Sequence, residues 1–245
     1  VGIGFSIPAN EARGVLEQLR KNGKVSRGWL GVRIQTVTQD IAEGLGLPSA
    51  GGALVAGVEK NGPAAKAGLK TGDVILTLDG KPVDGRALPR LSAQLPVGTQ
   101  ARLGVWQHGK THDATVVVGT LPETPEEPPA KPAQETKGPT TLSFADFGFS
   151  VAALDAAARQ KYNLSASQKG VLVSSVHDDG VAAERGLKEG DVITEVQQAE
   201  VTTPAALKQR LDAARKEHRR TALLLVHDAD GVRWIPLPLG AEATP

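Results

Sequence analysis

Few residues in this chain have both the type and the spacing that bond-making chemistry requires. It has 245 residues and no cysteine, so thiolate nucleophiles, thiolate metal ligands and a disulfide framework are all excluded. Five histidines are scattered along it. His108 and His112 have the i, i+4 spacing of a zinc-binding helix, but Gly109 and the hairpin pattern around them break such a face. With no second ligand set beside them they read as surface residues, and no metal is expected. Asp73 and Asp191 could be taken for a pair of catalytic carboxylates. Each follows a glycine at an identical turn, however, which predicts a carboxylate that accepts backbone N–H groups of its own turn. Arg215, Lys216, Arg219 and Arg220 form a basic cluster that reads as the solvated C-terminal end of a helix, where the dipole favours cations.

What the chain does possess is a repeated scaffold. Residues 52–83 recur without a gap at 170–201, and fifteen of the 32 positions are identical, where unrelated stretches would share about two or three. The matches include Gly62/Gly180, Ala64/Ala182, Ala65/Ala183, Gly68/Gly186, Leu69/Leu187 and the run Gly72-Asp73-Val74-Ile75 against Gly190-Asp191-Val192-Ile193. In each copy a short β-run precedes a glycine that opens a helical turn, which Gly68 or Gly186 closes in a left-handed cap. A tight Gly-Asp turn then leads into an apolar strand. Asp79-Gly80 is a strong hairpin signal; the second copy has Gln197-Gln198 there, which predicts a tip built differently.

The Ala-Ala-x-x-Gly-Leu-x-x-Gly-Asp-Val-Ile run resembles the core of PDZ domains, in the circularly permuted form found in bacterial proteases. The implied fold class is α+β, mainly β: two PDZ-like, partly open barrel or sandwich domains, each with two helices. Before them, Val1, Ile3, Phe5 and Ile7 alternate with small residues as in a strand. After Pro8, Asn10 can cap an amphipathic helix carrying Val15, Leu16 and Leu19. This segment is similar to the last strand and C-terminal helix of the protease domain of HtrA-type (Do-like, Deg family) serine proteases. The expected organisation is a protease-domain remnant at 1–26, a first PDZ domain at 27–121, a linker at 122–140 and a second PDZ domain at 141–240. The linker holds six prolines and no large apolar residue, so it reads as a semi-rigid polyproline spacer.

Arg27-Gly28-Trp29-Leu30-Gly31-Val32 stands where that family places the carboxylate-binding loop of its first PDZ domain. The resemblance implies converging backbone N–H donors at Leu30, Gly31 and Val32, with Trp29 at the lip. A peptide would add as a further strand along Val32–Val37, past Ile34. The opposite wall is a helix over 87–95 presenting Leu88, Leu91 and Leu95. In the second domain the corresponding residues are Phe147, Gly148, Phe149 and Val151, with Leu207 and Leu211 on a helix opened by Thr203-Pro204. Asp146 departs from the pattern, because a carboxylate beside an anion pocket repels a peptide terminus. Gly31→Val is expected to abolish binding at the first site without unfolding the protein.

Twenty-eight basic residues nearly cancel 27 acidic ones, so there is no electrostatic footprint for nucleic acid. The apolar run Ala222–Val226 is too short to span a membrane. With no methionine and Val1 as first residue, the chain is expected to be a processed or excised piece. No Ser-His-Asp motif of the protease is found, so no catalytic residue and no cofactor are expected within the chain. The resemblance implies the peptide-binding tandem PDZ region of a periplasmic serine endoprotease and chaperone. Its partners would be unfolded envelope proteins and peptides with apolar C-termini, the protease domain of the same chain, and further copies in a trimer-based homo-oligomer. Two alternatives stay open: PDZ-like structural modules that bind no free peptide, and hydrolysis through a cryptic site.

Overall fold

The computed structural model describes residues 25–121 and 141–240 apart from 163, 166, 167 and 230, together with 16, 19, 20 and 23. The expected strand at 1–7, most of the helix expected after it and the proline-rich stretch 122–140 lie outside the described residues.

The first domain runs β1 (Gly28–Trp29), β2 (Val32–Thr36), α1 (Gln39–Leu45), β3 (Ala53–Val58), α2 (Pro63–Lys66), β4 (Val74–Leu78), β5 (Lys81–Pro82), α3 (Ala87–Gln94), β6 (Gln100–Gln107), β7 (Lys110–Val117) and β8 (Gly119–Thr120). Its antiparallel sheet has the order β2-β3-β4-β6-β7, with β5 on β4 and a separate β1–β8 pair. The second domain runs β9 (Thr141–Phe144), a 3₁₀ turn (Ala145–Phe147), β10 (Phe149–Ala153), α4 (Ala156–Lys161), β11 (Val171–Val176), α5 (Val181–Glu184), β12 (Val192–Val196), β13 (Ala199–Glu200), α6 (Pro204–Lys216), β14 (Thr221–Asp228) and β15 (Gly231–Pro238). Its sheet order is β15-β14-β12-β11-β10-β9, with β13 on β12. Both sheets are open, not closed into barrels, and each domain carries two longer helices besides the one-turn helix of the repeat.

The repeated residues are those that fix the tight local geometry. Gly68 (φ +85°) and Gly186 (φ +82°) take the left-handed position after α2 and α5. Leu69 N–H then returns to Ala64 C=O at 3.0 Å, and Leu187 N–H to Ala182 C=O at 2.9 Å, closing each turn on a fully buried alanine. Asp73 and Asp191 tether their turns, accepting from Lys70 N–H at 2.8 Å and Lys188 N–H at 2.9 Å. The tip at Gln197-Gln198 departs from expectation. Both residues are left-handed (φ +52° and +62°), as Asp79 and Gly80 are (+49° and +75°). Hydrogen bonds hold the strained pair: Gln197 Nε2 donates to Thr221 C=O at 3.0 Å and Gln198 Nε2 to Gly72 C=O, in the other domain, at 2.8 Å.

Three apolar cores result. One fills each domain, and a third lies between them, made of Val37, Ile41, Ala42, Leu54, Ala56 and Val74 from the first and Leu223, Leu225 and Trp234 from the second. Strand alternation builds it: Ala53 and Val55 face the first domain's own core while Leu54 and Ala56 face outward into the third. Likewise Leu224 and Val226 point inward and Leu223 and Leu225 outward. The unbroken run Ala222–Val226 is thus a strand with both faces buried. Helix α1, capped by Thr38 and Gly46, packs on β14 and β15.

Candidate peptide-binding groove

In the first domain β2 is, among the described residues, an edge strand paired only with β3. The loop before it is anchored through its carbonyls: Leu30 C=O accepts from Ala64 N–H at 2.8 Å and Gly31 C=O from Glu59 N–H at 2.9 Å. Gly31 is left-handed at φ +76°. Among the described residues the N–H groups of Leu30 and Gly31 meet no acceptor. Val32 lies opposite Val58, one step along from the Gly31–Glu59 bond, so the alternation of an antiparallel ladder turns its N–H to the free edge. Val32 N–H is thus turned to the outer side of β2, next in sequence to the unbonded amides of Leu30 and Gly31.

The side chains expected around them are brought together. Leu30 and Leu88 are buried, whereas Val32, Ile34, Leu91 and Leu95 are half-buried against the same core. Trp29 lies beside the loop: a Cβ added to Gly31 would sit 3.2 Å from Pro63 Cδ and 3.3 Å from Trp29 Cη2. Helix α3 is started by Asp84, whose Oδ1 accepts from Ala87 N–H at 2.7 Å and Arg86 N–H at 2.8 Å. Those two bonds hold the Asp84 carboxyl below the usual carboxylate range. At the other end of α3, β1 crosses so closely that a Cβ on Gly28 would fall 2.2 Å from Ser92 C=O.

The second domain keeps the same loop geometry. Gly148 is left-handed at φ +73°, its C=O accepts from His177 N–H at 2.8 Å, and Gly180 N–H bonds His177 C=O at 2.9 Å. These repeat the bonds around Gly31, Glu59 and Gly62. The groove edge differs. The outer side of β10 is paired with β9, Phe149 opposite Phe144 and Val151 opposite Leu142, and α6 packs on both strands. Gly148 N–H is donated to Phe144 C=O at 3.0 Å. Phe144 stacks on Phe149 at 4.9 Å between centroids. Phe147, Phe149, Val151, Leu207 and Leu211 consequently lie in the closed core of that domain.

Asp146 does not face the loop as a bare charge. It binds Arg215 at 3.0 Å, and that guanidinium lies 4.9 Å over the Phe147 ring. The basic cluster at the end of α6 is thus partly committed, with Arg219 on Glu217 at 2.7 Å. His108 occupies the β6–β7 turn at φ +48° and His112 is exposed on β7. Among the described residues no group of three or more His, Cys, Asp or Glu could hold a metal ion, and no helix is long and apolar enough to cross a membrane. Sequence reasoning missed Leu142 and Phe144, although their alternation with Thr141 and Ser143 is a strand signal, and it missed the residues joining the domains.

Two repeats of an open antiparallel sheet, each with a glycine loop leading into the strand that a helix flanks, define a tandem PDZ protein. The PDZ domain model matches residues 28–118 and 145–231, and the chain belongs to that family. It is similar to "Probable periplasmic serine endoprotease DegP-like" of Rhizobium meliloti (strain 1021), 41% identical over 98% of this chain and 46% of the relative. The protein of the same name from Brucella suis biovar 1 is 37% identical over 99% of this chain and 45% of the relative. The chain thus spans about half the length of these relatives. Among solved structures it is similar to the HtrA-type protease AlgW with decapeptide, at 41% identity, TM-score 0.45, over 50% of this chain and 38% of that one. The serine endoprotease from Yersinia pestis gives 30% identity and TM-score 0.38 over 49% and 39%.

Proposed function

We propose that the first domain captures the free, apolar C-termini of misfolded proteins by strand addition to β2. The terminal carboxylate is held by the amides of Leu30, Gly31 and Val32, and the last side chain enters the slot between Val32, Ile34, Leu88, Leu91 and Leu95. The observation that supports this reading is the outer edge of β2, unpaired among the described residues, beside the Leu30 and Gly31 amides that meet no acceptor among them, with Leu88, Leu91 and Leu95 of the α3 segment packed on the same core. Backbone ladder bonds give affinity and the slot gives selectivity. A few charge-assisted hydrogen bonds and one buried side chain, less the ordering cost, amount to about 8 kcal/mol, or roughly micromolar affinity.

In this reading the chain is the PDZ region of a periplasmic DegP-like serine endoprotease. It delivers unfolded envelope proteins to the protease domain and helps regulate or assemble a trimer-based oligomer. The names of its relatives and the tandem PDZ organisation support that role. Titration with a labelled peptide ending in an apolar residue, against its C-terminally amidated twin, tests the groove. The free acid binds and the amide loses at least tenfold; equal binding of the two excludes carboxylate capture. For the second domain the pairing of β9 with β10 favours a structural role.

A further inference from the structure

The two loops share the bonds that anchor Gly31 and Gly148 through their carbonyls, yet among the described residues one leads into an open edge and the other into a paired one. We propose that residues 141–144 are a tethered occupant of the second groove, and that this groove accepts an internal strand of its own chain in place of a free C-terminus. The inference rests on the carboxylate reading of the first groove for its comparison, but on separate observations for its content.

Four contacts place β9 where a ligand strand belongs. It runs antiparallel to β10 over Thr141–Phe144. It lies against α6, the helix that forms the other wall. Leu142 packs into the core beside the groove residues, and Phe144 is buried in it. The Gly148 N–H is shared between the Phe144 carbonyl at 3.0 Å and the Ala145 carbonyl at 3.2 Å, so the amide that corresponds to Gly31 N–H is already taken by carbonyls of the preceding segment. Gly148 and Gly31 keep the same left-handed conformation.

The first domain shows the same segment in its other disposition. With the loop offset of 117 residues, Leu142 and Phe144 correspond to Val25 and Arg27. Those residues form no strand, and Val25 is 38% exposed. Arg27 cannot enter an apolar slot as Phe144 does without burying a charge. The exchange of Val-x-Arg for Leu-x-Phe thus accounts for why one segment stays off its groove and the other fills it.

Tethering also explains how the second domain tolerates an edge of this kind. A free apolar edge recruits other strands, and an intramolecular strand meets β10 at high effective concentration, so a free peptide of micromolar affinity does not compete.

The experiment counts sites on the whole chain. Leu142→Asp and, separately, Ser143→Pro release β9, and binding of the apolar free-acid peptide is followed by calorimetry, with near-ultraviolet dichroism of Trp234 as the check on folding. The expected result is a gain of about one peptide per chain relative to the unaltered protein. A folded variant that gains no site overturns the proposal. Hydrogen exchange on the unaltered chain gives a second reading that needs no substitution: saturating peptide protects β2 and leaves β10 unchanged, and new protection on β10 overturns the tether. Absence of any peptide binding by the unaltered chain counts against the first groove alone, because a site gained on release of β9 still supports the tether.

Discussion

The side-chain amide of Gln35 forms two hydrogen bonds with the backbone of Trp234, its Oε1 accepting from Trp234 N–H at 2.8 Å and its Nε2 donating to Trp234 C=O at 2.9 Å. The residues are 199 positions apart, Gln35 on strand β2 and Trp234 on the edge strand β15. The indole Nε1–H adds a bond to Val55 C=O at 3.3 Å, and Arg185 of the second domain pairs with Asp40 of the first. Strand β2 is therefore fastened to the other domain through the Gln35 side chain.

Removing that fastening uncouples the domains. Trp234 is 1% exposed, so Trp234→Ala leaves a large void in the third core and costs about 3–5 kcal/mol. Gln35→Ala strands the Trp234 backbone groups and costs about 1–3 kcal/mol. Urea denaturation followed by far-ultraviolet dichroism is expected to shift to lower midpoint in both, and to split into two transitions for Trp234→Ala. A single unshifted transition would show that the third core contributes nothing to cooperativity.

Glycine is required more strictly in the second loop than in the first. A Cβ on Gly148 would sit 2.7 Å from Gly180 Cα, whereas one on Gly31 would sit 3.1 Å from Gly62 Cα. Both residues also occupy left-handed backbone, which costs an L-residue about 1–2 kcal/mol. Gly148→Ala is expected to lower the thermal midpoint more than Gly31→Ala. Gly31→Val, expected from sequence to act on binding alone, strains the loop as well, and differential scanning calorimetry will register a loss of stability alongside the loss of peptide binding.

Acid weakens the contact between the domains through His227. Burial, and then the Arg33 guanidinium of the first domain, hold its pKa below the ordinary imidazole value. The folded state therefore takes up the proton later than the unfolded state as pH falls. Stability is full above the unfolded pKa and declines on acidification between the two values. Denaturation midpoints at pH 7 and pH 5 should differ less in His227→Gln than in the unaltered chain; equal differences would remove His227 from the account.

Asp84 acts in the usual carboxylate sense. Its pKa is lowered by the two N–H bonds that start α3, so its contribution is present above the unfolded pKa and is lost as pH falls through the folded one. Asp84→Ala is expected to loosen the first turn of the groove wall, reducing both thermal midpoint and peptide affinity near neutrality. The deficit in stability should shrink as pH falls through the folded pKa, below which the unaltered residue is itself protonated.

Much of this molecule is determined locally. The duplicated run specified two copies of one fold because its glycines, alanines and aspartates satisfy short-range demands: a left-handed cap, a close helix turn and a carboxylate tethering its own turn three residues back. The residues proposed for the first groove rest on local grounds too, since Leu30, Gly31 and Val32 are consecutive and Leu88, Leu91 and Leu95 keep helical spacing, and the five apolar side chains among them meet in one core. Gln197-Gln198 was misjudged because the bonds that hold two left-handed residues come from Thr221 and from Gly72, partners remote in sequence. The state of the second groove was also undecided, since Thr141–Phe144 could lie along β10 or away from it, and only packing against Phe149 and α6 selects. The third core is tertiary in the same sense. The apolar runs at Ala53–Ala56 and Ala222–Val226 declare that both faces of two strands must be buried, but which surface covers the outer faces depends on side chains about 200 positions apart meeting in space, and no local preference encodes that.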